Sequence, residues 1–227
     1  MNILQLCAGK GSRFAKYTNI PKPFIDVNGV PLFKAGLESI KIDSRTHCLF
    51  QEEHIKKYNP SQYVDAIIHS IDGYTDGAAS SAYHVISQSE YRSEPWLIID
   101  CDFILEYNPS DFLKKSTEHS VIMVEEYPYD LKSSYTCVDS DMNVYGVAEK
   151  QVISKYRNTG HYHFQSGDIF CEAYKFYKDN NILSSGEFYI SPLYNYLIQN
   201  GYSVKASEVD KYISLGIPEE LEKYLND

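Results

Sequence analysis

The sequence predicts an α/β protein built on a mostly parallel, Rossmann-like mixed sheet flanked by helices. Three observations carry that expectation. Short unbroken apolar runs alternate with segments of helical spacing through the first half of the chain, the pattern of parallel strands buried on both faces. Glycines or aspartates follow directly on several of those runs, at the strand ends where open α/β sheets bind ligands. From about residue 120 the text changes to strand-like pieces, which predicts a β-rich insertion beside the main sheet.

In order, "ILQLC" reads as a buried strand and "PLFKAGLESIK" as a helix with Leu32, Ala35, Leu37 and Ile40 on one face. "HCLFQ" is a strand, "EEHIKKY" a short helix and "VDAIIHSI" another strand. "AASSAYHVISQS" is helical, "PWLIIDCD" is an apolar strand, and "PSDFLKKSTEH" is a helix with Pro109 at its start. Beyond it "SVIMVEEY", "SYTCVD", "VYGVAEKQ" and "TGHYHFQSGDIF" are strand-like, with "DSDMN" as a hairpin turn. Helical text returns in "EFYISPLYNYLIQNG", closing on Gly201 as a C-cap, and in the solvated acidic tail "EELEKYLND". There is no repeat, low-complexity tract or linker. The 227 residues are expected to form one domain in two parts, about 1–118 and about 119–227.

Composition narrows the function classes. Hydrophobic residues make up 43% and charged residues 23%, as in ordinary globular proteins. No run approaches the ~18 apolar residues of a membrane helix. The opening also lacks the basic-then-apolar layout of a signal peptide. Five widely spaced cysteines without a CxxC pair fit a reducing cytoplasm. A net charge of −10 argues against nucleic-acid and anionic-membrane partners. A homo-oligomer is compatible with all of this.

One segment runs against the acidic average. Between Lys10 and Lys22 the chain carries Lys10, Arg13, Lys16 and Lys22 and no acid. The first strand ends at Leu6-Cys7 and opens into Ala8-Gly9-Lys10-Gly11-Ser12-Arg13. Glycines let backbone amides approach phosphate oxygens, while Arg13 and Lys22 supply charge. Neither a Walker loop nor GxGxxG is present. The glycines alone would also suit a plain turn. In "WLIIDCDFIL", Asp100 and Asp102 close an apolar strand, as magnesium ligands facing a triphosphate or as caps of the next turn. In "DGYTDGAASSA", small residues leave room for a base and ribose, or form a helix start capped by Thr75 or Asp76.

Together, "LCAGKGSRF…PKPFIDVNGVPL", "DGAASSA", "LIIDCDF", "YRNTGHYHF", "GEFYISPLYNYLIQNG" and "YISLGIPEELEKYL" resemble, in collinear order, the nucleotidyltransferase superfamily that activates sugar phosphates and related acceptors. The resemblance implies a GT-A-like fold. It further implies that Leu6, Ala8, Gly9, Lys10, Gly11 and Ser12 hold the triphosphate and that Arg13 binds departing pyrophosphate. Lys22 would stabilise charge on the α-phosphate, and Gly77, Ala78, Ala79 and Ser80, with Asp100, would surround the nucleoside. Asp102 would hold Mg2+. Glu149, Lys150, Thr159, Gly160, Tyr162, Glu187 and Tyr189 would face the acceptor. Two departures stand out: Ser214 occupies the place of a frequent second metal-binding aspartate, and Ile217 replaces the threonine of G-T-P. The nearest acid, Asp210, lies ~13 Å from Ser214 along a regular strand. Waters are therefore expected to complete the metal shell, with Asp210 as a minor alternative.

The implied reaction joins a nucleoside triphosphate, CTP favoured, to a phosphorylated small acceptor. The compact length is similar to members serving capsule and surface-polysaccharide pathways, including phosphocholine and phosphoglutamine cytidylyltransferases and guanylyltransferases or other nucleotidyltransferases acting on sugar phosphates. A glycosyltransferase of related fold is the alternative, since "DCD" formally matches its D-x-D motif. A non-catalytic nucleotide-binding regulator is a third. His161 and His163 share a strand face but lack a third ligand at suitable spacing, so structural or acceptor contacts are expected of them. The 21 tyrosines mostly suit half-buried surfaces.

Overall fold

The computed structural model describes residues 1–128 and 130–226, so the last residue of the acidic tail lies outside the described residues. The first half comprises β1 (Asn2–Leu6), β2 (Asp26–Val27), β3 (Val30–Pro31), α1 (Leu32–Ser39), β4 (Arg45–Gln51), α2 (Glu52–Tyr58), β5 (Ile67–Ile71), α3 (Ala78–Ile86) and β6 (Trp96–Ile99). Then come β7 (Phe103–Glu106), α4 (Pro109–Ser116), β8 (Ser120–Glu126), β9 (Ser134–Val138), β10 (Val144–Glu149) and β11 (Tyr156–Phe164). The chain closes with α5 (Gly167–Asp179), α6 (Leu193–Gln199), β12 (Val204–Glu208), β13 (Lys211–Ser214) and α7 (Pro218–Asn226).

A nine-stranded mixed sheet runs β10-β9-β11-β6-β1-β4-β5, with β8 paired to β11 and β12. The strands β6, β1, β4 and β5 are mutually parallel. Both faces of this half are covered, which explains the unbroken apolar text. Leu4 and Ile98 pack under α3, α5 and α6 with Val85, Ile86, Phe170, Tyr174 and Leu197. Their neighbours Ile3, Leu97 and Ile99 pack on the other face with Phe103, Phe112 and Val121.

The expected insertion beside the sheet is instead part of it. β11 pairs antiparallel with β6 through His161↔Ile99 and His163↔Leu97, and its other end meets β8 and β9. Nine residues of β11 thus span both halves. A register shift between Asn158 and Tyr162 lets that strand change direction.

Three local readings change. The strand "PWLIIDCD" stops at Ile99, so Asp100 and Asp102 lie in the turn that joins it to β7. "SGDIF" starts α5: Ser166 caps it by accepting a hydrogen bond from Ile169 N at 3.2 Å. The helical text from Glu187 narrows to α6, because Phe188 is held extended. Its N–H donates to Asp76 O and its carbonyl accepts from Ala79 N, both at 2.9 Å. A Cβ on Gly77 would meet the Phe188 carbonyl at 2.4 Å, so only glycine permits that approach.

Candidate active site

The ends of β1 and β6 open onto a cavity of about 380 Å3. It is lined by Leu6, Cys7, Ala8, Gly9, Lys10, Gly11, Ser12, Arg13 and Phe14 from the first loop, and by Lys22 and Pro23 from the next turn. Tyr74, Thr75, Gly77, Ala78 and Ser81 line it around the start of α3; Asp100, Cys101 and Asp102 follow β6, and Glu187 and Gly216 complete the wall.

The glycine loop is anchored at both ends. Phe14 is buried against Ile25, Leu32, Leu215 and Leu221. At the other end the buried Gln51 donates from Nε2 to Ala8 O at 2.7 Å and to Gly73 O at 3.0 Å, tying the loop to the segment before α3. Gly11 adopts φ +58°, and a Cβ there would lie 3.1 Å from Lys22 Cβ, so the bare backbone brings the loop against the lysine. Gly9, Lys10, Ser12 and Arg13 are exposed. Among the described residues, neither Lys10 nor Arg13 is in a salt bridge with a carboxylate, whereas Lys22 pairs with Asp102 Oδ2. Two unneutralised cations and a set of loop amides therefore face one concave surface, a built receptor for an anion.

Lys22 and Asp102 are sheltered, with side chains 18% and 19% exposed. Burial disfavours the ammonium, but the Asp102 charge beside it prevails, and Lys22 is held above its ordinary pKa. Asp100 lines the cavity and is exposed. Desolvation, and then the charge of Asp102, raise its pKa. The donor set suits a divalent cation that also has phosphate oxygens as ligands, because Asp102 offers a carboxylate at the cavity floor. Gly216 lets the chain pass close to it: a Cβ there would sit only 2.8 Å from Asp102 Oδ2.

Of the residues expected to face the acceptor, Glu187 lines the cavity, whereas Glu149, Lys150, Gly160, Tyr162 and Tyr189 are outside its lining. A Cβ on Gly160 would come within 2.5 Å of Asp100 Oδ2, so β11 passes directly against the cavity carboxylates. Glu149 accepts hydrogen bonds from Ser134 Oγ and from Ser191 Oγ, the latter at 2.7 Å. Burial outweighs both serines and raises its pKa. Tyr162 is buried within reach of the Glu149 and Asp100 charges; desolvation and those charges raise its phenol. Lys150 bonds the Tyr189 hydroxyl and lies 4.5 Å from the centre of that ring.

No protein-family model matches this chain. The bifunctional protein GlmU of Methanocaldococcus jannaschii is 26% identical over 221 residues, covering 93% of this chain and 50% of that protein. The chain spans half or less of the length of the curated relatives it matches. Among solved structures, the nucleoside-diphosphate-sugar pyrophosphorylase from Vibrio cholerae RC9 covers 100% of both chains at 22% identity, with a TM-score of 0.86. The inositol-1-phosphate CTP transferase from T. maritima covers 98% of this chain and 93% of its own at 19% identity, with a TM-score of 0.75. The fold is that of the sugar-phosphate nucleotidyltransferases.

On this nucleotidyltransferase fold several expected residues stand away from the cavity. Ala79 is fully buried in the core, and Ser80 bonds Tyr174 OH at 2.9 Å. The Thr159 hydroxyl donates inward to Met123 O at 3.1 Å. Asp210 is exposed at the far end of the β7–β13 pair: Ser214 lies opposite Phe103, next to Asp102, while Lys211 lies opposite Glu106. His161 and His163 are buried against Phe103 and Phe112, and neither faces the cavity. Sequence reasoning did not single out Gln51, Tyr74, Ser81, Ser134, Ser191 or Gly216. The Thr75 and Asp76 caps also differ: α3 has no side-chain cap, and the Thr75 hydroxyl pairs with Ser81 Oγ at 2.7 Å.

Proposed function

We propose that this chain is a magnesium-dependent nucleotidyltransferase. It would join a nucleoside triphosphate, CTP favoured, to a phosphorylated small acceptor and release pyrophosphate. The observation that carries the reading is the convergence in one cavity of the glycine loop, unpaired Lys10 and Arg13, and the Lys22–Asp102 pair. The amides of Gly9, Gly11 and Ser12 hold the β- and γ-phosphates, with Arg13 on the pyrophosphate that leaves. Magnesium, held by Asp102, supplies charge neutralisation on the triphosphate when bound. Lys22 turns from Asp102 to the α-phosphate, where charge builds up in the transition state.

The acceptor phosphate is already an anion, so no base has to remove a proton. One of its oxygens bonds to the α-phosphorus in line as the bond to the β-phosphate oxygen breaks. Catalysis is then positioning and charge cancellation. Glu149 and Lys150, with Tyr189, Glu187 and Gly160, orient the acceptor. The CTP-transferase activity named for the T. maritima neighbour supports CTP; the acceptor in this reading is a capsule or other surface-polysaccharide precursor, either a non-sugar phosphate or a sugar 1-phosphate. Cytoplasmic work fits this substrate set, and among the described residues no helix is long and apolar enough to cross a membrane. A glycosyltransferase reading has only the D-x-D form of Asp100 and Asp102 in its favour. A donor without a γ-phosphate has no need of the cationic loop. Pyrophosphate release from CTP, GTP, UTP and ATP against a panel of acceptor phosphates tests the proposal, and silence across the panel refutes it.

A further inference from the structure

The segments proposed to hold the triphosphate and the nucleoside leave the sheet on different strands. β1 ends at Leu6 and β5 at Ile71, and β4 lies between them, parallel to both. Gln51 is the last residue of β4 and is buried. Its Nε2 donates to Ala8 O at 2.7 Å on one side and to Gly73 O at 3.0 Å on the other. Each of those carbonyls lies two residues past the end of its strand. The same two segments meet again at the cavity mouth, where Lys10 Nζ stands 5.4 Å from the centre of the Tyr74 ring, within cation–π reach. Ala8, Lys10 and Tyr74 line the cavity, while Gln51 is outside its lining. Ala8 is buried, so its carbonyl needs a protein donor. Gly73 is exposed, and satisfying it does not require one. The bond from Gln51 to Gly73 therefore does something else: it makes the position of one segment depend on that of the other.

We propose that Gln51 is a positioning residue that sets the spacing between the triphosphate loop and the nucleoside segment, so that one nucleotide occupies both at once. A nucleoside triphosphate joins its base to its phosphates through a few bonds, and both ends bind together only where the two subsites stand that far apart. With the spacing fixed in advance, the second contact costs little further ordering, as for any tethered ligand. If the spacing drifts, either end still binds alone, but the whole gains little from having both. Gln51 suits this task because its two N–H groups belong to one planar amide, so its bonds to Ala8 and Gly73 share a single rigid group. Methionine in its place would fill similar space and leave the buried Ala8 carbonyl without its donor. The proposal rests on the nucleotidyltransferase reading above.

Calorimetric titration with magnesium and without acceptor separates the two subsites. Inorganic tripolyphosphate reads the loop alone, while CTP, GTP, UTP and ATP, taken in turn, read loop and nucleoside segment together. Gln51→Met should weaken the best-bound nucleotide about 10-fold or more, while tripolyphosphate stays within about threefold of wild type. In turnover the loss should fall on KM for the triphosphate, with KM for the acceptor phosphate unchanged. Equal losses for tripolyphosphate and nucleotide would mean that Gln51 merely keeps the loop folded. Unchanged nucleotide affinity would mean that the segments hold their spacing without it. Either result overturns the proposal and leaves the site reading intact. No nucleotide binding by the wild-type protein would overturn the site reading, and the proposal with it. If Gln51→Met does not fold, Gln51→Asn keeps the amide but withdraws it by one methylene, and is judged by the same outcomes with the same probes.

Discussion

The two sides of the cavity are built differently. The proposed nucleotide side is local: Gly9 to Arg13 is one loop after one strand, Lys22 follows on the next turn, and Asp102 lies in the turn after β6, which pairs with the same β1. The proposed acceptor side is assembled from distance. Glu149 ends β10, its serine partners are 15 and 42 residues away, and Tyr189 reaches Lys150 across 39. The contrast follows from what each side has to hold. A polyphosphate is gripped by backbone amides and cations, which a short loop presents in sequence. A small acceptor is recognised by side chains that must converge from several elements.

The largest effects should therefore fall on the loop and its floor. Asp102→Asn is expected to abolish turnover at millimolar magnesium. Lys22→Ala and Arg13→Ala should each lower kcat/KM by at least ~10²-fold, about 3 kcal/mol for one preorganised charge, with unchanged melting temperature. Near-normal pyrophosphate release in any of the three would break the assignment of that side.

The seam between the sides should yield to acid. His161 and His163 lie on β11, the strand that joins the acceptor half to β6. Burial pushes both imidazoles from 6.5 down to about 3, so they stay neutral in the folded protein. The unfolded chain takes up those protons as pH falls through 6.5 and the folded chain does not. Stability is thus full above that pH and is lost progressively toward about 3. The two together should cost about 2–3 kcal/mol between pH 7.5 and 5.5, while Asp100, whose pKa is raised, takes up a proton in the fold over the same range and works the other way. With that opposing group removed in Asp100→Asn, the urea midpoint should drop as pH falls; a flat midpoint in that variant would mean the rings find proton acceptors in the fold.

These contrasts also mark what could be read from sequence. The glycine loop, Lys22 and Asp102 were legible because cations without acids, next to an apolar strand end, have few other uses. The edges of α5 were not. "QSGDIF" continues a strand pattern until Ser166 caps the helix, and the stripe of Phe170, Tyr174 and Tyr177 is diluted in a chain with 21 tyrosines. Gln51 was missed because an amide that clamps two carbonyls from different loops leaves no local trace. Glu220 was read as part of a solvated tail, since its contact with Ser214 needs the turn at Gly216 to exist first.

A smaller effect sharpens the acceptor side. Glu149→Gln should raise KM for the acceptor about 10-fold while leaving KM for the triphosphate unchanged, because a half-buried carboxylate between two serines is lost while their shape partner stays. Equal changes in both constants would merge the two sides. The smallest effect belongs to Asp210→Asn, expected to change turnover by less than about twofold, since that residue stands a whole strand pair from Asp102.

The central claim is that this cavity transfers a nucleotidyl group to a phosphate. Phosphorus NMR of the protein with magnesium, each triphosphate in turn and the acceptor panel reads it directly. The account predicts equimolar pyrophosphate and a new diphosphate in which the α-phosphorus of the triphosphate is bonded through oxygen to the acceptor phosphorus, both absent with Asp102→Asn. Inert triphosphates, together with cleavage of a nucleotide-sugar to free nucleoside diphosphate, would contradict it.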